Sequence, residues 1–436
     1  MTLRNRELAA LLTVGLLTAI GFATVYIAER SQISGGSLGY AVFFFGLYLV
    51  AHVVARLTVP LADPYLLPMA ALLTAIGLTE IYRLGAGDAF RQGIWIVIGV
   101  AAFSATLLWL HRDFRALERY KYVFGVTAIG LLFLPALPVI GETVNGSRLW
   151  IHVGSLQFQP GELGKIALIV FLAAYFREKR EVLAQGRLKD WGPLLVIWGG
   201  AMLVLFATND LGSALLYYGI FLAILYIATA RLSFVAAALG LFLVGAYALS
   251  YLTPHVQDRV TNWLSPWSTH KIYCPQVGHT ALRQDCQSYQ LVQSLYSLGH
   301  GGFGGTGLGH GIFTSTSGGQ VIPDLNTDFI YSALAQELGL VGVAALLLLY
   351  MAFVLRGFRI ALTASDGFSK LLAAGLSFGF AFQTFVIVGG ITRVIPLTGI
   401  TLPFVSYGGS SIVANFLLVA GLLLVSHRAN RQEAGA

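Results

Sequence analysis

Apolar segments about as long as a bilayer is thick recur along the whole chain. A helix needs about 20 apolar residues to cross roughly 30 Å of hydrocarbon, and twelve such segments can be counted in the 436 residues. They are residues 8–28, 38–54, 65–82, 92–110, 122–140, 162–176, 192–208, 211–229, 232–252, 328–355, 368–390 and 401–425. The pattern predicts an all-α, polytopic membrane protein with about twelve transmembrane helices.

The composition agrees with a membrane protein and excludes several other classes. Hydrophobic residues make up 56% of the chain and charged residues only 11%, whereas a soluble domain carries about 25% charged residues. Fifty Gly and an aromatic content of 12% fit close helix packing and aromatic belts at membrane interfaces. A disordered chain, a collagen, a coiled coil and a disulfide-dense secreted domain are excluded.

The net charge of +7 is explained by membrane topology, so it predicts no nucleic-acid partner. Cytoplasmic loops carry an excess of Lys and Arg, and an amino terminus inside the cell places 18 of the 27 such residues there. An even number of spans puts both termini in the cytoplasm. The first apolar segment is followed by Glu29 and Arg30 without a cleavage pattern, so it is predicted to be retained.

Two polar segments are predicted to lie on the extracytoplasmic side. Residues 253–327 form a connection of about 75 residues, far longer than an ordinary loop. Residues 141–161 are too polar to span a membrane, yet they lead directly into an apolar helix. They are therefore predicted to fold back as a re-entrant segment, where irregular backbone is tolerated if it lines a cavity.

The long loop contains Cys274 and Cys286, the only cysteines of the chain. Outside the cytoplasm they are expected to pair, which closes a loop of about a dozen residues and stabilises it by ~3 kcal/mol in the loop-entropy model. Two free thiols are the alternative. The spacing of the two cysteines matches no zinc site.

Three ionisable residues within or beside apolar segments need an explanation, because a charge at membrane depth costs about 2.5–3.5 kcal/mol. Glu162 and Lys165 stand three residues apart and share a helix face. They form either a structural ion pair or the opening of a polar cavity near Arg148 and Trp150. Asp210 lies in a short turn between two spans, where helix capping is the alternative to a functional role.

Asp328 lies where the long loop meets the tenth apolar segment. Thr327 or Asp328 would cap that helix and benefit from its dipole. A carboxylate held at this place is also suited to act as the general base of a membrane enzyme. Glu337 lies about 13 Å further along the helix on roughly the opposite face, so it is not expected to pair with Asp328.

Two glycine-rich stretches have more than one interpretation. Residues 299–311 contain a GxGxxG pattern without the strand and helix of a dinucleotide site, although backbone N–H groups there could approach a phosphate. Residues 396–411, PLTGITLPFVSYGGSS, interrupt a helix with Pro and Gly. Its small residues, Ser410 among them, serve either close helix packing or a site. The chain has no Walker lysine and no HExxH motif.

Three stretches, in matching order and spacing, resemble the SEDS family, named for shape, elongation, division and sporulation. They are NGSRLWIHVGSLQFQPGELGKIAL, QSLYSLGHGGFGGTGLGHG followed by NTDFIYSALAQELGLVG, and IPLTGITLPFVSYGGSS. The likeness covers most of the chain from about Tyr122 onward. It implies two additional N-terminal helices (1–60) before a ten-helix core (61–252 and 328–436), which the large extracytoplasmic loop (253–327) divides.

The resemblance implies a peptidoglycan glycosyltransferase that polymerises lipid II at the outer face of the cytoplasmic membrane, together with a class B penicillin-binding protein. The NTDF context favours the RodA-like branch of elongation over the FtsW-like branch of division. A division homologue, a lipid II flippase or another transporter, and a scaffold that only recruits the transpeptidase are the alternatives.

The family's functional residues carry over onto matching positions. Asp328 in NTDF matches its essential loop aspartate, Glu162 and Lys165 in QPGELGK match its polar cavity pair, and Asp210 matches the acidic position of its PDLGT-like turn. Three motifs depart from the family: NTDF replaces HTDF, QELG replaces EELG, and GITLP replaces GIPLP. The first removes a histidine that could have assisted Asp328.

The implied reaction expels polyprenyl pyrophosphate, whose charge has to be stabilised. The predicted contacts are Lys165, Arg148, Arg259 and Arg393, with or without a divalent cation such as Mg²⁺ or Mn²⁺. Asp328 is then either the general base or a ligand of that cation. Trp150, Glu162, Asp210 and Ser410 complete the predicted substrate-binding residues.

Overall fold

The computed structural model describes residues 2–30, 35–137, 140–144, 147–153, 156–184, 192–207, 210–252, 254–274, 278–314 and 320–435. The helices are α1 (Leu3–Arg30), α2 (Gly35–Thr58), α3 (Leu66–Leu84), α4 (Ala86–Leu110), α5 (Ala116–Arg119), α6 (Lys121–Phe133), α7 (Pro160–Ala184), α8 (Gly192–Ala207), α9 (Leu211–Thr229), α10 (Leu232–Leu252), α11 (Pro254–Leu264), α12 (Tyr289–Gly301), α13 (Ile330–Thr363), α14 (Gly367–Ile391) and α15 (Gly409–Gly435). The strands are β1 (Gly141–Val144), β2 (Ser147–Val153), β3 (Leu156–Phe158), β4 (Lys271–Cys274) and β5 (His279–Leu282).

A helix coincides with each of the twelve predicted apolar segments, which confirms the all-α polytopic class. In the described ranges, eight helices are both long and apolar enough to cross a membrane: α1, α2, α3, α4, α9, α13, α14 and α15. Helices α6 and α10 are apolar but shorter in the part that meets this criterion. The count of twelve spans therefore stays a prediction.

Two predicted boundaries differ from the observed ones. The tenth segment was expected to begin at residue 328, but α13 begins at Ile330. The twelfth was expected to begin at residue 401, but α15 begins at Gly409. Pro396 and Pro403 lie in the irregular stretch before α15, and proline cannot continue a helix because it lacks an N–H and clashes with the preceding turn.

The glycine-rich run at 299–311 packs against a kink in α13. Gly339 of that helix has φ +66°, and the N–H groups of Leu340 and Val341 donate to the carbonyls of Gly302 and Phe303. A Cβ on Gly305 would collide with the backbone of α13. The backbones of the run and of α13 therefore approach so closely that a side chain at Gly305 would not fit.

Two small antiparallel sheets interrupt the helical architecture. The predicted re-entrant stretch 141–161 contains a three-stranded sheet in the order β1-β2-β3, with Ile151 of β2 opposite Gly141 and Phe158. Strands β4 and β5 form a hairpin in the long loop. The predicted disulfide between Cys274 and Cys286 is confirmed, with their Cα atoms 5.8 Å apart.

Candidate active site

A polar cavity of about 200 Å³ lies where β2, β3, α11, the turn before α13 and the stretch before α15 meet. Its lining combines acidic, amide, hydroxyl and aromatic side chains with one arginine. The lining residues are Trp95, Leu149, Trp150, Gln157, Gln159, Asp210, Arg259, Asp324, Thr327, Asp328, Thr398, Gly399, Thr401, Tyr407, Gly408 and Gly409.

Asp328 is presented to this cavity by a tight turn. Asp324 has φ +57°, and its carbonyl accepts hydrogen bonds from the N–H groups of Thr327 (3.2 Å) and Asp328 (3.1 Å). Helix α13 has Phe329 as its N-cap residue and no side-chain capping bond, so the prediction that Thr327 or Asp328 caps it was wrong. Within the described ranges, no residue donates a hydrogen bond to the carboxylate of Asp328, which is left free to face the cavity.

The surroundings of Asp328 make its carboxylate unusually basic. Burial, helped by the negative charge of Asp324 and opposed by the positive charge of Arg259, raises the pKa of Asp328 to about 7. A general base is most effective when its pKa lies near the working pH. Asp328 meets this requirement at neutral pH.

Arg259 brings a positive charge to the same cavity from α11. Its Nη1 donates to the carbonyls of Leu397 (3.2 Å) and Thr398 (2.9 Å), which ties α11 to the stretch before α15. Burial lowers the pKa of Arg259, and the negative charges of Asp210 and Asp328 raise it. The guanidinium therefore lies within electrostatic reach of both carboxylates.

Asp210 combines the two roles that its sequence left open. Its Oδ1 accepts a hydrogen bond from the N–H of Ser213 (2.9 Å), so it caps α9. Its side chain is buried and lines the cavity. Burial raises the pKa of Asp210, while the hydrogen bonds from Ser213 oppose this shift.

Glu162 and Lys165 form an ion pair behind the cavity wall. Lys165 Nζ donates to Glu162 Oε2 (2.7 Å) and to Gln383 Oε1 (2.5 Å). Gln383 Nε2 in turn donates to the carbonyl of Thr401 (2.9 Å), a residue of the lining. The pair reaches the cavity through Gln383, although neither member lines it.

The structure leaves three further predicted residues outside the cavity lining. Arg393 donates from Nε and Nη2 to the last two carbonyls of α11, each at 2.8 Å, so it anchors that helix. Ser410 Oγ accepts a hydrogen bond from the N–H of Gln159 (2.6 Å) and is buried behind the lining. Arg148 lies on β2, and its Nε is buried without a hydrogen-bond partner among the described residues. Trp150, by contrast, does line the cavity.

Several lining residues were missed from the sequence. Gln157 and Gln159 alternate along LQFQ, and this period of two could have placed both on one face. Tyr407 lies inside the quoted 396–411 stretch but carried no separate signal. Trp95 lies in an apolar helix and packs its indole against Gly409, a contact between distant parts of the chain that no local pattern reveals.

The predicted divalent cation has no protein ligand set in the described part of the chain. No group of three or more His, Cys, Asp or Glu residues is placed there to hold a metal ion. Asp210, Asp324 and Asp328 line one cavity but do not form such a group. The residues present therefore do not fit a metal held by the protein alone.

A family model for cell cycle proteins of the FtsW, RodA and SpoVE type matches residues 55–432 of this chain. Peptidoglycan glycosyltransferase RodA of Mycobacterium tuberculosis (strain ATCC 25618 / H37Rv) is 38% identical over 454 aligned residues, covering 99% of this chain and 92% of the relative. Stage V sporulation protein E of Bacillus subtilis is 34% identical, covering 84% and 96%.

Two solved structures share the fold. Rod shape determining protein RodA of Thermus thermophilus has a TM-score of 0.59 at 25% identity, covering 84% of this chain and 97% of that one. A structure described as showing coordination of polymerization and crosslinking by a peptidoglycan synthase complex has a TM-score of 0.67 at 26% identity, covering 85% and 99%. The resemblance in the sequence motifs is thus confirmed, and the chain belongs to the SEDS family of FtsW, RodA and SpoVE.

Proposed function

We propose that this protein is a RodA-like peptidoglycan glycosyltransferase that polymerises lipid II. The observation that carries the proposal is the carboxylate of Asp328, which faces the polar cavity without a hydrogen-bond donor among the described residues. Its pKa of about 7 suits a general base at neutral pH. The mycobacterial relatives, which are named for this activity and span nearly the whole chain, support the same assignment.

In the proposed reaction, Asp328 takes the proton from the 4-hydroxyl of the acceptor sugar. The freed oxygen attacks the anomeric carbon of the donor sugar, and the bond from that carbon to the pyrophosphate oxygen breaks. The electron pair leaves with polyprenyl pyrophosphate, and inversion at carbon gives a β-1,4 linkage. General base catalysis typically contributes about 10²- to 10⁴-fold, so the leaving group also needs stabilisation.

Arg259 is the cationic side chain of the lining and is suited to the pyrophosphate. Lys165 lies one hydrogen-bonded residue behind the wall, through Gln383, and is better placed to hold Thr401 than to touch substrate. The aromatic side chains of Trp95, Trp150 and Tyr407 offer apolar faces for sugar rings. Asp210 and Asp324 add acceptors for sugar hydroxyls.

The proposal includes a location and a partner. The cavity faces the outer side of a bacterial cytoplasmic membrane, and both termini lie in the cytoplasm, as the distribution of Lys and Arg predicts. A class B penicillin-binding protein cross-links the strands. The similarity to a chain from a peptidoglycan synthase complex that coordinates polymerization and crosslinking supports this partner.

The test is polymerisation of lipid II by the purified full chain with a class B penicillin-binding protein in detergent. No compartments exist there, so a flippase or a scaffold would produce no glycan. We expect polymer from the wild type and from Asp285→Asn, a control in the exposed loop outside the cavity. Asp328→Asn should be inactive while remaining folded. Polymer made at the wild-type rate by that variant would contradict the role of Asp328.

A further inference from the structure

The turn that carries Asp328 is held from outside the cavity by a side-chain hydrogen bond to α4. Asn326 Nδ2 donates to Asp88 Oδ2 at 2.9 Å. The two residues are 238 positions apart in the chain, and Asp88 lies in the first turn of α4. Trp95, two turns further along the same helix, lines the cavity.

The same turn is also fixed through its backbone. The N–H of Tyr407 donates to the carbonyl of Asn326 (2.8 Å). Ser406 Oγ donates to the carbonyl of Thr327 (2.5 Å). The backbone of Asn326 is thus hydrogen-bonded to the stretch before α15, and its side chain is hydrogen-bonded to α4.

Asp328 depends on these contacts more than an ordinary catalytic residue does. Its carboxylate receives no hydrogen bond from the described residues, so its direction is set by the backbone of the turn. A displacement of about 1 Å at a reacting group can lower a rate by about 100-fold. Asn326 lies only two residues before Asp328, so the hydrogen bond of its side-chain amide restrains the backbone that orients Asp328.

We propose that Asp88 is a positioning residue that, through Asn326, holds the turn so that Asp328 faces the acceptor sugar. This rests on the proposed glycosyltransferase function. The side chain of Asp88 is about one-third exposed, and its other oxygen lies 3.6 Å from the exposed Arg91. Such an exposed ion pair contributes little, so the bond to Asn326 is the contact with a consequence for the site.

The experiment measures kcat and KM for lipid II polymerisation by the full chain with its penicillin-binding protein. We expect Asp88→Ala and Asn326→Ala each to lower kcat by about tenfold or more and to leave KM within about twofold. Because both remove the same bond, the double variant should lose no more than either single one. Asp113→Ala, in the turn that follows the other end of α4, serves as the control and should leave kcat unchanged.

A charge swap separates positioning from a general structural role. Asn326→Asp alone places two carboxylates together and should lose activity. Adding Asp88→Asn restores a donor and an acceptor in reverse order and should recover most of the kcat. A wild-type kcat in Asp88→Ala, multiplied losses in the alanine double variant, or a folded swap variant without recovery would overturn the proposal.

Amide hydrogen exchange of residues 324–329 tests the hold without any turnover. Exchange should be faster in Asp88→Ala and Asn326→Ala than in the wild type and in Asp113→Ala. If the wild type makes no polymer, the proposed function fails and this measurement still decides the role of Asp88. Unchanged exchange in Asp88→Ala overturns it.

Discussion

A Cβ on Gly399 would lie 3.4 Å from Oδ2 of Asp328. The backbone of the stretch before α15 therefore forms a wall directly against the candidate catalytic carboxylate. The same Cβ would lie 3.8 Å from Nη2 of Arg259. A single glycine thus borders both the proposed general base and the cation proposed for the leaving group.

Gly399→Ala is expected to lower kcat for polymerisation by about tenfold, since small displacements near reacting groups are costly. Gly399 has φ +72°, so alanine there adds about 1 kcal/mol of backbone strain and crowds Asp328. Gly278→Ala is a matched control, because Gly278 has φ +73° and open space around its Cβ position. Equal activity losses in the two variants would mean that strain, and not the contact with Asp328, is responsible.

The rate of polymerisation is expected to rise with pH and to be half-maximal near pH 7. The proposed base is active only as a carboxylate, and its pKa is raised to about 7. At pH 5 most molecules would carry the proton on Asp328 and be inactive. A profile of kcat/KM against pH for the wild type checks this, and an acidic limb near pH 4 would contradict it.

The same shift predicts a stability difference with a defined sign. A carboxyl whose folded-state pKa exceeds its unfolded value stabilises the fold at low pH, and this contribution is lost as the pH rises from about 4 through about 7. Asp328→Asn removes the ionisation. It should therefore melt at a higher temperature than the wild type at pH 8 and at nearly the same temperature at pH 4.

The sequence predicted those features that depend on local pattern. Runs of apolar residues located the helices, because an apolar segment in lipid has to satisfy its own backbone hydrogen bonds and does so as a helix. The presence of two cysteines in one loop predicted outside the cytoplasm indicated a disulfide, which the structure confirms. Asp328 could be singled out from its motif and its place at the end of the long loop.

What the sequence could not predict arises from contacts between distant segments. Trp95 reaches the cavity only because α4 packs against α15. Arg393 was expected at the substrate, but it anchors the end of α11, since the carbonyls there lie within reach of its guanidinium. Capping of α13 by Thr327 or Asp328 was the alternative to a catalytic role, from a general preference, but the helix has no side-chain capping bond.

Lys165→Met is expected to destabilise the protein strongly, by about 3–5 kcal/mol, because it leaves a carboxylate without its partner in a buried site. Glu162 and Lys165 side chains are only 10% and 3% exposed. Adding Glu162→Gln should restore most of the melting temperature. If activity returns with stability, the pair is structural. If stability returns and activity does not, Lys165 acts on the cavity through Gln383.

Replacing Cys274 and Cys286 by serine is expected to weaken the contacts between the loop and α11, the helix that carries Arg259. The bridge fixes the segment around residues 286–288, where Ser288 Oγ donates to Asn262 Oδ1 (3.0 Å) and Asn262 Nδ2 donates to the carbonyl of Gln287 (3.1 Å). Asn262 lies on α11, one turn after Arg259.

A disulfide closing a loop of this size stabilises by about 3 kcal/mol, so its loss should open the loop locally while the membrane helices stay intact. We therefore expect faster proteolysis within 254–288, an unchanged melting temperature of the helices, and a severalfold lower kcat/KM for lipid II. A reducing agent should reproduce these changes in the wild type and cause none in the serine variant, whereas unaltered proteolysis would show that hydrogen bonds alone hold the loop.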